Sequence, residues 1–419
     1  MEDQTDERPR NTPTTRKTER TEFGVGGRKL TMAAPQAVIS GNGDERRTLV
    51  VIFLRGAADG LALVPPIEDE HYYRARPRLG ITKKEAVRLD GTFGLHPKLQ
   101  PLESAWCDGE LAIVHACGTE DQTRSHFEAQ DLMEHGGVVA GGWLGRYLRG
   151  RPAPLSGALA CVAVGKALPE CLLGAPTVTV MQSMEEFAIG AKTPGFRTQL
   201  ERLYAMERGR LGAAARDTFD ALTRIEAMRT ATYRPDNGAD YGNGRDEFAN
   251  GLRQLAQLIK ANVGLEAASI DLGGWDSHFA QQGLVETLAA RLAGGLAAFR
   301  KDLGARMATT TVVVMTEFGR TVEENTAFGT DHGRGSAMFV LGGGVRGGRI
   351  HGEWRGLKPD GLERRGLLEG YGDLPVLNNY RNVLAAVLAR HGAGAGVGEA
   401  DRMAGVFPGF ELRPLEIFG

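Results

Sequence analysis

Five short segments bring acids, imidazoles, guanidiniums and hydroxyls close together. They are Arg55-Gly56-Ala57-Ala58-Asp59-Gly60, Thr123-Arg124-Ser125-His126-Phe127-Glu128, Gly273-Gly274-Trp275-Asp276-Ser277-His278, Glu317-Phe318-Gly319-Arg320 and Gly329-Thr330-Asp331-His332-Gly333. Carboxylate oxygens and imidazole nitrogens together form a donor set that suits zinc, manganese or iron. Ser125 opens a predicted helix, where the free N–H groups would stabilise an anion formed on attack, so it is a candidate nucleophile.

Each residue also has a plainer reading. Asp276 could cap the following helix, although His278 adds nothing to a cap. Asp331 sits in a glycine-rich loop, where Asp is a routine turn residue. Ser125 and Glu128 have the spacing of a capping box, which is compatible with a nucleophile. Glu317 directly follows an apolar strand, where a buried carboxylate needs a partner, either a metal or Arg320. His115 lies within a strand and reads as a satisfied core histidine. Trp275 reads as packing, and His96 and His351, in loops beside proline or glycine, are ambiguous.

The elements that must position these groups are visible as hydrophobic patterns. Residues 48–54 form a continuous apolar run, as expected of a strand covered on both faces. Residues 111–115 and 309–315 match it, and 267–272 is a weaker fourth. Helical periodicity covers 196–228, 246–261, 279–303 and 380–390. Strands alternating with helices predict a doubly wound α/β domain, its largely parallel sheet flanked by helices. In such sheets ligands bind outside the carboxyl ends of the strands. The polar segments follow strands, so the acids and histidines collect at one edge.

Composition narrows the function. The chain of 419 residues carries 50 Lys+Arg against 52 Asp+Glu, so no basic field points to nucleic acid. No uncharged apolar stretch of about 18 residues exists, which excludes a membrane-spanning helix. Cys107, Cys117, Cys161 and Cys171 form no CxxC pair and read as buried thiols. With 58 glycines, many tight turns are expected. No internal repeat is present, and 392–398 is a glycine-rich low-complexity stretch. Residues 1–47 mix charges with almost no apolar period and read as a disordered leader, leaving 48–419 as one domain. The leader's best apolar stretch, 32–39, is short and interrupted by Pro35. No export signal is visible, which argues for the cytoplasm.

The ordered series Leu54 to Gly60, Arg124 to Gln130, Gly273 to His278, Thr316 to Thr321 and Gly329 to Gly335 resembles a bacterial family of unknown function. That family, number 1501 among such domains, is often labelled sulfatase-like and is similar to the alkaline phosphatase superfamily. The resemblance runs from about Thr48 to the closing Val406-Phe407-Pro408-Gly409-Phe410. It implies an alkaline phosphatase/sulfatase-like fold and one or two divalent metals per chain, zinc first, then manganese or iron. Residue by residue it implies Asp59 as a metal ligand, Ser125 (less so Thr123) as nucleophile, and Asp276 with His278 as a metal-binding pair, Asp271 being an acid just upstream. Two registers complete the ligands. In one, Asp331 and His332 act with His351. In the other, preferred because the acid follows the strand, Glu317 and His332 serve, and Phe318 stands where a histidine is expected.

The activity implied is hydrolysis of phosphate or sulfate esters, small or polymer-borne. Ser125 attacks in line, and Arg124 or Arg320 clamps the ester oxygens. A non-catalytic binding or assembly protein with a partial site is the alternative from another class, and a phosphomutase is a third. The family habit of twin-arginine export makes the periplasm the alternative compartment.

Overall fold

Strand β1 (Thr48–Arg55) lies inside a nine-stranded sheet, and its neighbours explain its unbroken apolar sequence. It pairs in parallel with β7 (Ala267–Gly273) on one side and β8 (Thr310–Met315) on the other. Its Val50, Ile52 and Leu54 enter one core and Leu49, Val51 and Phe53 the other. Each such side chain contributes about 1.5–3 kcal/mol on burial, so neither face can carry a polar residue cheaply.

The other strands are β2 (Val87–Arg88), β3 (Gly94–Leu95), β4 (Leu111–Gly118), β5 (Cys161–Val164), β6 (Thr179–Met181), β9 (Ser336–Gly342), β10 (Arg349–His351) and β11 (Asn378–Asn379). The pair β2–β3 forms a small antiparallel sheet of its own. The large sheet runs β10-β4-β9-β8-β1-β7-β5-β6, with β11 also on β4. Among these strands β9 is antiparallel to both neighbours, and every other pairing is parallel. The fold is thus a mixed, mostly parallel α/β sheet flanked by helices. Helices Glu247–Lys260 and Gln281–Leu303 pack on the Val50 face. Helices Trp143–Arg149 and Tyr380–His391 pack on the Leu49 face.

This computed structural model describes residues 46–152, 155, 157–187, 195–230, 232–363, 372–392 and 399–419. Residues Glu45–Gly419 make one compact unit. The leader read at 1–47 lies outside the described residues except for Arg46 and Arg47, as does the low-complexity stretch beyond Gly392. The helix expected over 196–228 is two, Phe196–Ala205 and Arg210–Thr230, because the chain turns between Met206 and Gly209, the latter at φ 127°. Among the described residues no helix is long and apolar enough to cross a membrane. Cys117, Cys161 and Cys171 are buried free thiols, whereas Cys107 is exposed.

The antiparallel β9 matters for the site. The carboxyl ends of β1, β4, β7 and β8 share one edge, and β9 begins there. The segment Thr330–Gly335 therefore reaches the same edge from the opposite direction.

Candidate metal centre

Two strand-end loops are stitched together at this edge. Thr321 N–H donates to Asp331 O (2.9 Å), Gly333 N–H to Gly319 O (2.9 Å) and Gly319 N–H to Arg334 O (2.8 Å). This ladder fixes the Glu317–Arg320 turn against His332. A third loop joins them through Gly56, whose φ of +114° and position, with a Cβ site only 2.4 Å from Asp276 N, leave room for no side chain. Gly56 N–H donates to Glu317 Oε1 (2.8 Å), and Gly56 O accepts from Arg320 Nη2 (2.7 Å).

Three imidazoles converge on one carboxylate. His126 Nε2, His278 Nε2 and His332 Nε2 lie 3.3, 3.1 and 3.3 Å from Asp276 Oδ1. Each ring is oriented by an oxygen at its other nitrogen. His126 Nδ1 meets Glu317 Oε1 (2.8 Å), His278 Nδ1 meets Asp331 Oδ1 (3.0 Å) and His332 Nδ1 meets Arg124 O (2.8 Å). Carboxylates and carbonyls accept only, so all three Nδ1 atoms donate, and in the neutral rings the three Nε2 atoms then offer lone pairs to a cation. His278 Nε2 and His332 Nε2 face each other at 2.9 Å. Two lone pairs at that distance repel unless a positive centre lies between them. His126 Nε2 is buried without a hydrogen-bond partner, its approach to Asp276 being misaligned.

A buried orphan nitrogen, opposed lone pairs and Nδ1 atoms pinned by oxygens are what a divalent cation needs from its ligands. Three nitrogens and one carboxylate suit zinc first, and also iron or manganese. The residues present therefore fit the metal that the sequence leads one to expect. Among the described residues, His126, Asp276 and His332 form the group of ligating atoms close enough to share one ion, with His278 against both Asp276 and His332.

The electrostatics follow from burial and pairing. Burial pushes the Glu317 carboxyl up, but hydrogen bonds from His126, Gln130 and Gly56 outweigh it and hold it below the usual range. The Glu317 carboxylate in turn raises His126. Burial lowers His332. Burial opposes ionisation of Asp276, yet Arg320 and His332 hold its carboxyl well below the usual range.

The expected site residues divide into three groups. Asp276, His278 and His332 come together at the centre. Glu317 and Asp331 lie one layer out, orienting His126 and His278. Glu317 is fully buried, and its partners are Gly56, His126, Gln130 (Nε2 2.9 Å) and Thr316 (Oγ1 2.9 Å) rather than Arg320. Asp59 is committed to the fold. It caps helix Gly60–Leu63 and accepts from Arg76 Nη1 (2.7 Å), Arg76 Nη2 (3.1 Å) and Gln281 Nε2 (2.6 Å), which occupies both oxygens.

Both arginines expected as ester clamps are holding the scaffold. Arg320, 1% exposed, donates to the carbonyls of Gly56, Ala57, Trp275, Ser277 and Thr330 and to Asp276 Oδ1 (2.9 Å). Arg124 donates to His332 O and to Asp373. Asp276 is no helix cap, since the helix begins at Gln281 after Ala280. Ser125 is the cap residue of helix His126–His135 but makes no side-chain capping bond, and Glu128 accepts from Thr123 Oγ1 (2.7 Å), so no capping box forms. Asp271 pairs with Arg55 (2.6 Å). His351 contacts Arg346 O at the sheet margin, and His96 caps a short helix at Pro97.

Sequence reasoning missed His126 and Gln130. The available signal was their i, i+4 spacing, which puts both on one helix face directly after the candidate serine. Phe318 stacks on His126 (centroids 5.0 Å, 24°) as an apolar wall behind it.

The sheet and its loops define an α/β protein with three histidines and a carboxylate clustered at the carboxyl edge. A family model described as "Protein of unknown function (DUF1501)" matches residues 139–367. More than half of the chain is matched, and the chain belongs to this family. No curated protein matches it. Among solved structures it is similar to the zinc complex of the C-terminal periplasmic domain of EcEptC from Escherichia coli, at 10% identity over 72% of this chain and 74% of that one, TM-score 0.33. It is also similar to the PH0037 protein from Pyrococcus horikoshii, at 12% identity over 72% and 87%, TM-score 0.30. Alkaline phosphatase from the Antarctic bacterium TAB5 is matched at 12% identity over 72% and 93%, TM-score 0.24. Likeness at these values says nothing about activity.

Proposed function

We propose that the chain is a divalent-metal-dependent hydrolase of phosphate or sulfate esters, working at the carboxyl edge of the sheet. The observation that carries the reading is the convergence of three imidazole Nε2 atoms, each with its Nδ1 pinned by an oxygen, on Asp276. His126, Asp276, His278 and His332 would hold the cation. When bound, it would supply Lewis-acid stabilisation of an ester oxygen and lower the pKa of a nearby hydroxyl or water.

The chain's own part begins with Ser125. Its N–H donates to Thr123 Oγ1 (3.2 Å), and the hydroxyl carries no capping bond that would have to break before attack. Attack by Ser125 Oγ on phosphorus or sulfur forms the new O–P or O–S bond and breaks the bond to the alcohol oxygen. The serine proton passes to water, and the departing alkoxide takes one from water. The N–H groups at the start of helix His126–His135 would stabilise the developing charge. A second water then releases the phosphate or sulfate and restores the serine. Arg124 and Arg320 hold ligands in place rather than gripping the ester. The test is hydrolysis of aryl phosphates and aryl sulfates by metal-loaded protein. Ser125→Ala should lose at least about a hundredfold in kcat with metal content unchanged. Full activity in that variant removes the nucleophile assignment.

A further inference from the structure

Phenylalanine follows two of the metal-site histidines directly, and both rings are in solvent. Phe127 after His126 is 84% exposed and Phe279 after His278 is 74% exposed. The three imidazoles stand in a row, with centroids 4.4 Å apart for His126 and His332 and 4.6 Å for His278 and His332. Each of the two phenylalanines thus directly follows one of the outer imidazoles of the three. A third, Phe328, is 52% exposed and lies on the loop that pairs with the Phe279 segment, through Ala280 N–H to Ala327 O (3.1 Å) and Gln281 N–H to Phe328 O (2.9 Å). Arg78 lies over its ring at 4.2 Å.

Each exposed ring forgoes the gain that its burial would bring, and here the rings belong to residues next to a polar centre. The arginines beside that centre do not offer a complementary charge. Arg55 pairs with Glu134 and Asp271, Arg76 with Asp59, and Arg124 with Asp373, while Arg320 is spent on carbonyls and Asp276. Recognition of the part of the substrate beyond the ester therefore falls to apolar surface.

We infer that the alcohol portion of the substrate is apolar, a long alkyl or aryl group that packs on the exposed rings of Phe127, Phe279 and Phe328 while its anionic head meets the histidine cluster. This deepens the hydrolase reading and rests on it. Octyl and methyl phosphonate, which cannot be hydrolysed at the P–C bond, separate binding of the tail from chemistry.

In calorimetric titration of the zinc-loaded full chain, octylphosphonate below its aggregation concentration should bind at least about tenfold more tightly than methylphosphonate. Phe127→Ser/Phe279→Ser should erase most of that ratio and leave methylphosphonate affinity and zinc content unchanged. Equal affinities for the two phosphonates in the wild type overturn the inference. So does a double variant that keeps the ratio, or one that changes only the sedimentation coefficient, since the rings would then cover a second copy of the chain. A preference for octylphosphonate without turnover of any phosphate or sulfate ester would remove the hydrolase reading and keep the apolar site.

Discussion

Arg124 and His332 hold each other at two points. The carbonyl of Arg124 accepts from His332 Nδ1 at 2.8 Å, while the Arg124 guanidinium donates to the His332 carbonyl. One residue thus sets both the tautomer of a candidate ligand and the path of its backbone. Arg124→Ala leaves the carbonyl in place but frees the backbone, so zinc affinity should fall about 10–100-fold. A chelator competition titration reads this directly, and unchanged affinity would remove the positioning role.

Glu317 tests the outer layer. Its buried carboxylate accepts from Gly56 N–H, His126, Gln130 and the Thr316 hydroxyl. Glu317→Gln turns an amide NH2 toward groups that are themselves donors. A buried mismatch of this kind costs about 1–3 kcal/mol, and His126 loses the anion that orients it. Thermal unfolding should shift down, with zinc affinity reduced about tenfold or more. Equal melting and equal affinity would show that Glu317 is not part of the site.

Gly56→Ala is the sharpest backbone test. The new Cβ would lie 2.4 Å from Asp276 N, at a φ of +114° that side chains rarely adopt. Strain and displacement together should cost at least about 2 kcal/mol, and metal should be lost with the loop. A urea denaturation midpoint matching the wild type would contradict the packing described for the three loops.

Stability should fall in mild acid because of histidines outside the site. His115 Nε2 donates to Val64 O (3.0 Å), and its Nδ1 accepts from Ala116 N–H (2.8 Å), so the neutral ring has no place for a second proton. Burial pushes its pKa down to about 4, and His96 shifts likewise to about 4. The unfolded chain takes up these protons near pH 6.5. Between about pH 6.5 and 4 the unfolded state therefore binds more protons, and stability decreases as pH falls through that window. The slope is at most about 1.4 kcal/mol per pH unit for each group. His115→Leu should lower stability at pH 7 yet flatten the slope of urea midpoint against pH. An unaltered slope would exclude His115 as a source.

Where burial on both faces dictates composition, the fold was legible. The run through Val50, Val51 and Ile52 could only be an inner strand, and the runs at β4, β7 and β8 followed the same rule. β9 was harder to see as a strand, because a parallel pattern gives no cue that one strand reverses. That reversal delivers His332. The acids were harder still. Asp59 and Asp276 each follow a strand, and spacing does not show that Arg76, far along the chain, takes one while Arg320 aims the other. His126 was hidden by a capping reading that its neighbours Ser125 and Glu128 satisfied on spacing alone.

Metal content per chain, by mass spectrometry on wild type, His126→Ala and Asp59→Asn, tests the central claim most directly. The histidine cluster predicts one divalent metal in the wild type, little or none in His126→Ala, and a full complement in Asp59→Asn despite its lower melting temperature. Metal retained in His126→Ala, or lost only in Asp59→Asn, would contradict the site and return Asp59 to the ligand set.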